Sequence, residues 1–256
     1  MNIIELKDWY PWYNKIASAF NFNIHEDQRA TDILSELIQN NYIEPCEIES
    51  IIQNKPILVF GAGPSLEEDV NRIEKVKLFD KSITIAADGA TSALLKIVNK
   101  IPDIIVTDLD GRFEDLLSAN KKGSLMVVHA HGDNIPKILN YVPRLTKILG
   151  TTQVEPRPRV YNFGGFTDGD RAVFLAAAMG AKMISLVGMD LGRIIGKYSK
   201  QYVKSKKRKL LKLKFCKELL EWLALRTKIN LYNLTSHGER ISGFKDVTPE
   251  YIAKIS

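Results

Sequence analysis

Two hydrophobic rhythms divide the chain. Up to about residue 55, apolar positions recur at helical spacing, as in Ile33, Leu34, Leu37 and Ile38, which follow two candidate capping residues, Thr31 and Asp32. This pattern predicts an N-terminal helical region over residues 1–55. From Pro56 onward, short β-branched runs at 57–60, 83–86, 104–107, 125–129, 160–163 and 183–187 alternate with helix-length connections. Runs that are apolar on both faces read as buried strands, and strands joined by helices imply right-handed βαβ units. The expected fold is therefore α/β and Rossmann-like, a mostly parallel sheet flanked by helices over 56–256, with the N-terminal helices as an appendage. Ligands of such sheets bind beyond the carboxyl ends of the strands, so the residues just after each run carry the chemistry.

After the first run comes Gly61-Ala62-Gly63-Pro64-Ser65-Leu66. Two glycines let a backbone approach phosphate, Ser65 can cap the next helix, and the N–H groups of that helix's first turn attract anions. The third glycine of the dinucleotide fingerprint is replaced by Leu66, so a tight turn without ligand is the competing reading. GRIIGK at 192–197 is one residue too short for a Walker loop. Asp88 and Gly89 follow the second run, and Asp108 and Asp110 follow the third. Any one of these acids could merely cap a helix. Gathered at one rim of a sheet, they form a like-charge cluster suited to Mg²⁺, which is held by one or two carboxylates and phosphate oxygens. The fourth run ends in His129-Ala130-His131-Gly132-Asp133-Asn134; a di-zinc site would need another histidine after the aspartate, and only His25 and His237 remain elsewhere. His129 is expected to be buried and satisfied, with His131 and Asp133 at the rim. Thr167-Asp168-Gly169-Asp170 opens a small-residue helix, placing two more acids at a helix N-terminus.

Charge changes the picture in one place. The formal net charge of the 256 residues is +6, but ten Lys or Arg lie between Lys197 and Lys217 with no acid among them, so the rest of the chain carries −4. The basicity belongs to one helical stretch near 197–228, in which Leu210, Leu211 and Leu213 are interleaved, and not to a distributed nucleic-acid face. Lys197, Lys204 and their neighbours are expected to contact phosphate, against the alternative of a solvated helix face. Cys46 and Cys216 are far apart without ligand-spaced partners, and no apolar run approaches the roughly 20 residues of a membrane span, so a cytoplasmic protein without a membrane partner is expected.

Taken in order, GAGPSLEED, AADGAT, PDIIVTDLDG, HAHGDN, GFTDGDRA, LVGMDLG and IGKYS resemble the successive blocks of the archaeal 6-hydroxymethyl-7,8-dihydropterin pyrophosphokinase family, whose catalytic core is similar to thiamine pyrophosphokinase. The resemblance covers residues 56–244. It implies Mg²⁺-dependent transfer of diphosphate from ATP to a reduced hydroxymethylpterin, releasing AMP, and it points to Asp88, Asp108, Asp110, Asp133, Asp168 and Asp170. Within it, Asp108 and Asp110 would hold Mg²⁺, Asp133 or Asp168 would accept the alcohol proton, and Asp170 would complete the metal shell or orient a water. Gly61, Gly63, Ser65, Asp88, Gly89, Lys197 and Lys204 would hold the nucleotide. The C-terminal β-sandwich of thiamine pyrophosphokinases has no counterpart here, which counts against thiamine as substrate. Alternatives are a nucleotide-sugar glycosyltransferase and, outside the enzymes, a nucleic-acid binder using KSKKRK. A homo-oligomer is compatible with the reading, and the sequence does not specify one.

Overall fold

The computed structural model describes residues 4–199 and 205–256. Three helices lead, α1 (Leu6–Phe20), α2 (Ile24–Leu37) and α3 (Pro45–Ile52). Asn21, in the left-handed conformation at φ 53°, ends α1, and Phe22 donates back to the Ala17 carbonyl at 2.9 Å. The side chain of Asn23 then caps α2 by accepting the His25 N–H at 3.0 Å. Thr31 and Asp32, expected as caps, instead lie inside α2. The Thr31 hydroxyl bonds the Asp27 carbonyl at 2.9 Å and meets Thr152 Oγ1 at 2.7 Å.

Nine strands follow among the described residues: β1 (Pro56–Phe60), β2 (Ile83–Ala87), β3 (Ile104–Thr107), β4 (Leu125–Ala130), β5 (Ile148–Thr152), β6 (Val160–Tyr161), β7 (Met183–Val187), β8 (Asn230–Asn233) and β9 (Lys245–Asp246). All pair in parallel, in the order β6-β5-β4-β3-β2-β1-β7-β8-β9. The helices between them are α4 (Leu66–Lys75), α5 (Gly89–Ile97), α6 (Phe113–Lys121), α7 (Ile135–Tyr141), α8 (Asp168–Ala178), α9 (Lys206–Ala224) and α10 (Pro249–Ile255). The six expected runs all appear, although the run at 160–163 pairs over only two residues. Three strands went unread. In β5 the sequence ILGTT loses its apolar signature at Gly150, where a Cβ would stand 2.8 Å from Val160 Cγ2. The strands β8 and β9 are short and close one edge of the sheet.

Alternating side chains send Ile57, Val59, Ile85, Val106, Val127 and Ile184 to one face, which α1, α3, α8 and α9 cover. The opposite face is covered by α2, α6 and α7 over Ile105, Met126 and Val128, and by α4, α5 and α10 over Leu58, Phe60 and Val187. The N-terminal helices are thus packed on the sheet. Trp9 of α1 is buried in the same cluster as Ile57 and Phe174, and its indole N–H donates to the Gln153 carbonyl at 2.8 Å. No helix among the described residues is long and apolar enough to cross a membrane.

Truncating Trp9 removes a large buried ring and one satisfied N–H. Trp9→Ala is expected to cost about 3–5 kcal/mol of stability, read from chemical denaturation. A loss below about 1 kcal/mol would mean that α1 is not part of this core.

Candidate active site

The chain runs outward from β1 through β6, then returns to place β7 on the other side of β1. That reversal opens a crevice beyond the carboxyl ends of β1 and β7. The two turns bordering it are stitched together: Gly61 N–H donates to the Val187 carbonyl and Gly63 N–H to the Gly188 carbonyl, both at 2.8 Å. A Cβ on Gly63 would fall 1.9 Å from Asp190 Oδ2, so only glycine fits there. Ser65 does not cap α4 with its side chain as expected. It sits behind the turn, its Oγ 2.7 Å from Asp69 Oδ2 and 3.0 Å from Asp190 Oδ2. Burial raises the Asp190 carboxyl above the usual range, while its bonds from Ser65 oppose the rise. Residues 192–199 cross over the glycine turn so closely that a Cβ on Gly196 would lie 2.2 Å from the Ala62 carbonyl. This segment is held by Glu67, whose Oε1 takes Lys197 Nζ at 2.5 Å and the Tyr198 hydroxyl at 2.8 Å; both bonds keep the carboxyl below its ordinary value.

Beside this turn three acids converge. Asp88 from the end of β2, Asp108 from the end of β3 and Asp168 from the start of α8 each place one carboxylate oxygen within 4.8 Å of the others. Asp88 is held at φ 28° and ψ −98°, a costly conformation for a residue with a Cβ. Its side chain accepts the Thr107 hydroxyl at 2.6 Å, and its N–H bonds the Val106 carbonyl at 2.9 Å. Gly111 lets the following turn pass over this carboxylate, since a Cβ there would lie 2.7 Å from Asp88 Oδ1. Asp168 takes one oxygen of the cluster despite a 3.3 Å ion pair with Arg171. Burial first, then the charges of Asp108 and Asp88, drive its carboxyl well above the ordinary range. A trio of hard oxygen donors that resist being charged together fits a divalent cation such as Mg²⁺.

The other expected site residues separate by position. Asp110 pairs with Lys137, and its N–H reaches Asp108 Oδ1 at 3.2 Å; the carboxylates that converge within 4.8 Å are Asp88, Asp108 and Asp168. Asp133 is exposed on the cavity rim. Asp170 is wholly buried and points away: its oxygens accept the N–H groups of Phe166 at 2.6 Å and Thr167 at 2.8 Å, and the Thr167 hydroxyl, as a helix cap. His131 places Nε2 3.6 Å from Asp108 Oδ2 while Nδ1 accepts the Asp133 N–H at 3.3 Å. His129 is buried as expected, with burial and the neighbouring Arg171 lowering its value so that it stays neutral, but it is only half satisfied: Nδ1 lies 3.2 Å from Thr151 Oγ1, whereas Nε2 meets no partner among the described residues. Lys204 lies outside the described residues.

An open cavity of about 1340 Å³ lies here, lined by Gly61, Gly63, Asp88, Gly89 and Asp168, with Asp110, His131 and Asp133 also in its wall. Cations ring it: Lys96 and Lys197 near the glycine turn, Arg112 and Lys137 on the far side, and Arg208, Lys209 and Lys212 from α9. The basic helix is therefore two-sided. Ser205, Arg208, Lys209, Lys212 and Cys216, with the pair 208–209 one helical turn from both 205 and 212, line the cavity, while Lys206, Lys207 and Lys214 are exposed outside it. A uniform run of lysines gives no sign of which side turns inward until the burial of Phe215 and Leu219 fixes the rotation of α9. Lys96 and Lys137 went unread because each stands alone in its segment.

Residues 32–196 match the family model described as "6-hydroxymethylpterin diphosphokinase MptE-like". Three curated archaeal proteins named 6-hydroxymethyl-7,8-dihydropterin pyrophosphokinase are also similar. That of Pyrococcus furiosus is 50% identical over 85% of this chain and 93% of its own length. That of Methanothermobacter thermautotrophicus is 43% identical over 86% and 95%, and that of Methanocaldococcus jannaschii 41% identical over 88% and 98%.

The electrostatics of the trio predict a change in stability of definite sign. A carboxyl whose native value lies above its unfolded one costs stability in full above the native value; the cost shrinks as pH falls below that value and is gone below the unfolded one. Asp168→Asn should therefore raise the melting temperature of the metal-free protein by a few degrees near pH 7, with the advantage vanishing in acid. A divalent cation held by the trio would add a further rise to the native chain, and Asp168→Asn should blunt it. An unchanged response to Mg²⁺, followed by thermal denaturation across pH, would remove Asp168 from the metal site.

Proposed function

Because the chain belongs to the 6-hydroxymethylpterin diphosphokinase MptE-like family, we propose that it transfers the diphosphate of ATP to the hydroxymethyl group of 6-hydroxymethyl-7,8-dihydropterin and releases AMP. The observation that carries this reading is the carboxylate trio set between the glycine turn and a ring of cations in one cavity. Asp88, Asp108 and Asp168 would hold Mg²⁺, which when bound neutralises phosphate oxygens and favours departure of AMP. The substrate hydroxyl oxygen forms a bond to the β-phosphorus as the bond from that phosphorus to the α,β-bridging oxygen breaks.

The chain's own residues mainly position and neutralise, as phosphoryl transfer requires. The turn at 61–63 brings backbone close to the nucleotide, and Lys96 and Lys197 border it. Lys209 and Lys212 approach from α9 over the oxygens of the transferring group. Asp110 fixes Lys137 on the opposite side. Asp133, solvated at the rim and outside the trio, takes the proton of the attacking hydroxyl.

Incubation with ATP, Mg²⁺ and a panel of alcohols tests the reaction. The reduced hydroxymethylpterin should yield its diphosphate and AMP in equal amounts. Formation of ADP, or turnover only with thiamine or a nucleotide sugar, would overturn the reading. The sidedness of α9 gives a finer check on the same assay. Lys209→Gln with Lys212→Gln should raise the KM for ATP and lower kcat, each by about tenfold or more, because both face developing charge. Lys206→Gln with Lys207→Gln should leave kinetics unchanged and stability within about 0.5 kcal/mol. Equal effects from the two pairs would remove the distinction between the faces.

A further inference from the structure

We propose that Asp27, on the second N-terminal helix, is a positioning residue of the active site that holds the turn at 131–134 in place from outside the sheet. Asp27 is 3% exposed, and its carboxylate is fully engaged. Oδ2 accepts the Tyr13 hydroxyl at 2.7 Å and Gln153 Nε2 at 2.8 Å, while Oδ1 accepts the Gly132 N–H at 2.7 Å. Burial and the bond to Asp27 raise the Tyr13 hydroxyl well above its ordinary value, so it remains a donor. The first two bonds lock the carboxylate against α1 and the end of β5. The third passes that rigidity to the cavity rim through a charge-assisted bond.

Gly132 has no slack at this contact, because a Cβ there would lie 2.7 Å from Glu26 Cβ. Its neighbours in sequence are the two rim residues, His131 with Nε2 3.6 Å from Asp108 Oδ2, and Asp133. The inner end of the turn is gripped by Asn134, whose buried amide donates to the Asp108 carbonyl at 2.9 Å and to the His129 carbonyl at 2.7 Å. Asn134 Oδ1 accepts the His131 N–H at 3.0 Å. A buried amide on one side and a buried carboxylate on the other thus fix four residues, among them Asp133, the proposed proton acceptor, and His131 beside Asp108. Removing the outer grip frees His131 and Asp133 while the glycine turn at 61–63, on the far side of the trio, keeps its bonds to β7.

Asp27→Asn is nearly isosteric but has one acceptor where the site presents donors to both oxygens. The effect on turnover rests on the proposed reaction, so the test reads the turn separately. In the full chain labelled with 15N-glycine, Asp27→Asn should speed exchange of the Gly132 amide by about tenfold or more, the loss expected for a bond to a charged group. In steady-state assays kcat should fall about 10- to 100-fold with the KM for ATP within about twofold, because misplacement of reacting groups costs turnover and the nucleotide turn is untouched. Gly132→Ala, which pushes the turn off α2 with Asp27 intact, should give the same kinetic split, and Tyr13→Phe, which removes a bond that anchors the Asp27 carboxylate, carries the exchange measurement if Asp27→Asn does not fold. Unchanged Gly132 exchange, or a released Gly132 with kcat intact, overturns the proposal. Native protein without diphosphotransferase activity defeats the reaction instead, and the exchange data then decide on their own whether Asp27 holds the turn.

Discussion

Three carboxylates within 4.8 Å of one another are the constraint on which the rest of the site depends. Each like-charge pair at that separation costs about 3 kcal/mol at an effective dielectric of about 20, before burial adds to it. The chain maintains the arrangement with local devices: Asp88 held at positive φ, a hydroxyl from Thr107, a glycine at 111 that leaves room for the Asp88 carboxylate, and Arg171 beside Asp168. Strain and repulsion at the carboxyl ends of β2 and β3 are tolerated because those strands are central and buried on both faces. The cavity around the trio is lined by basic side chains from five separate segments, so the centre is acidic and its wall cationic. That alternation suits a metal at the centre and a polyphosphate along the wall.

Much of this was legible in the sequence because it is local. The βαβ rhythm gives the central strands, and each strand end carries its glycine or aspartate in register with the next. Asp88, Asp108 and Asp168 are readable as rim acids. The grouping is not, because it depends on where each side chain turns after the strand ends: Asp110 lies two residues from Asp108 yet swings to Lys137, while Asp168 arrives from 60 residues further along the chain. Asp170 illustrates the same limit. Its spacing from Thr167 suits a capping box, and burial settles it in that role.

The N-terminal helices and α9 were the hardest parts to read for opposite reasons. The former have clear amphipathic periodicity but no chemistry-bearing motif, so their link to the site emerges only when the Asp27 carboxylate is seen against the Gly132 amide. The latter has abundant charge but no sequence mark of orientation, and packing of Phe215, Leu219 and Leu223 into the core decides which lysines face inward. In both, tertiary packing converts a generic helix into part of one cavity.

The central claim is that the cation site is built from Asp88, Asp108 and Asp168, with Asp110 serving Lys137. Paramagnetic titration with Mn²⁺ in place of Mg²⁺, without nucleotide, measures it directly. The account predicts saturable binding that is lost or weakened by at least about tenfold in Asp88→Asn, Asp108→Asn and Asp168→Asn and is retained in Asp110→Asn. Binding that survives Asp88→Asn and fails in Asp110→Asn would contradict it.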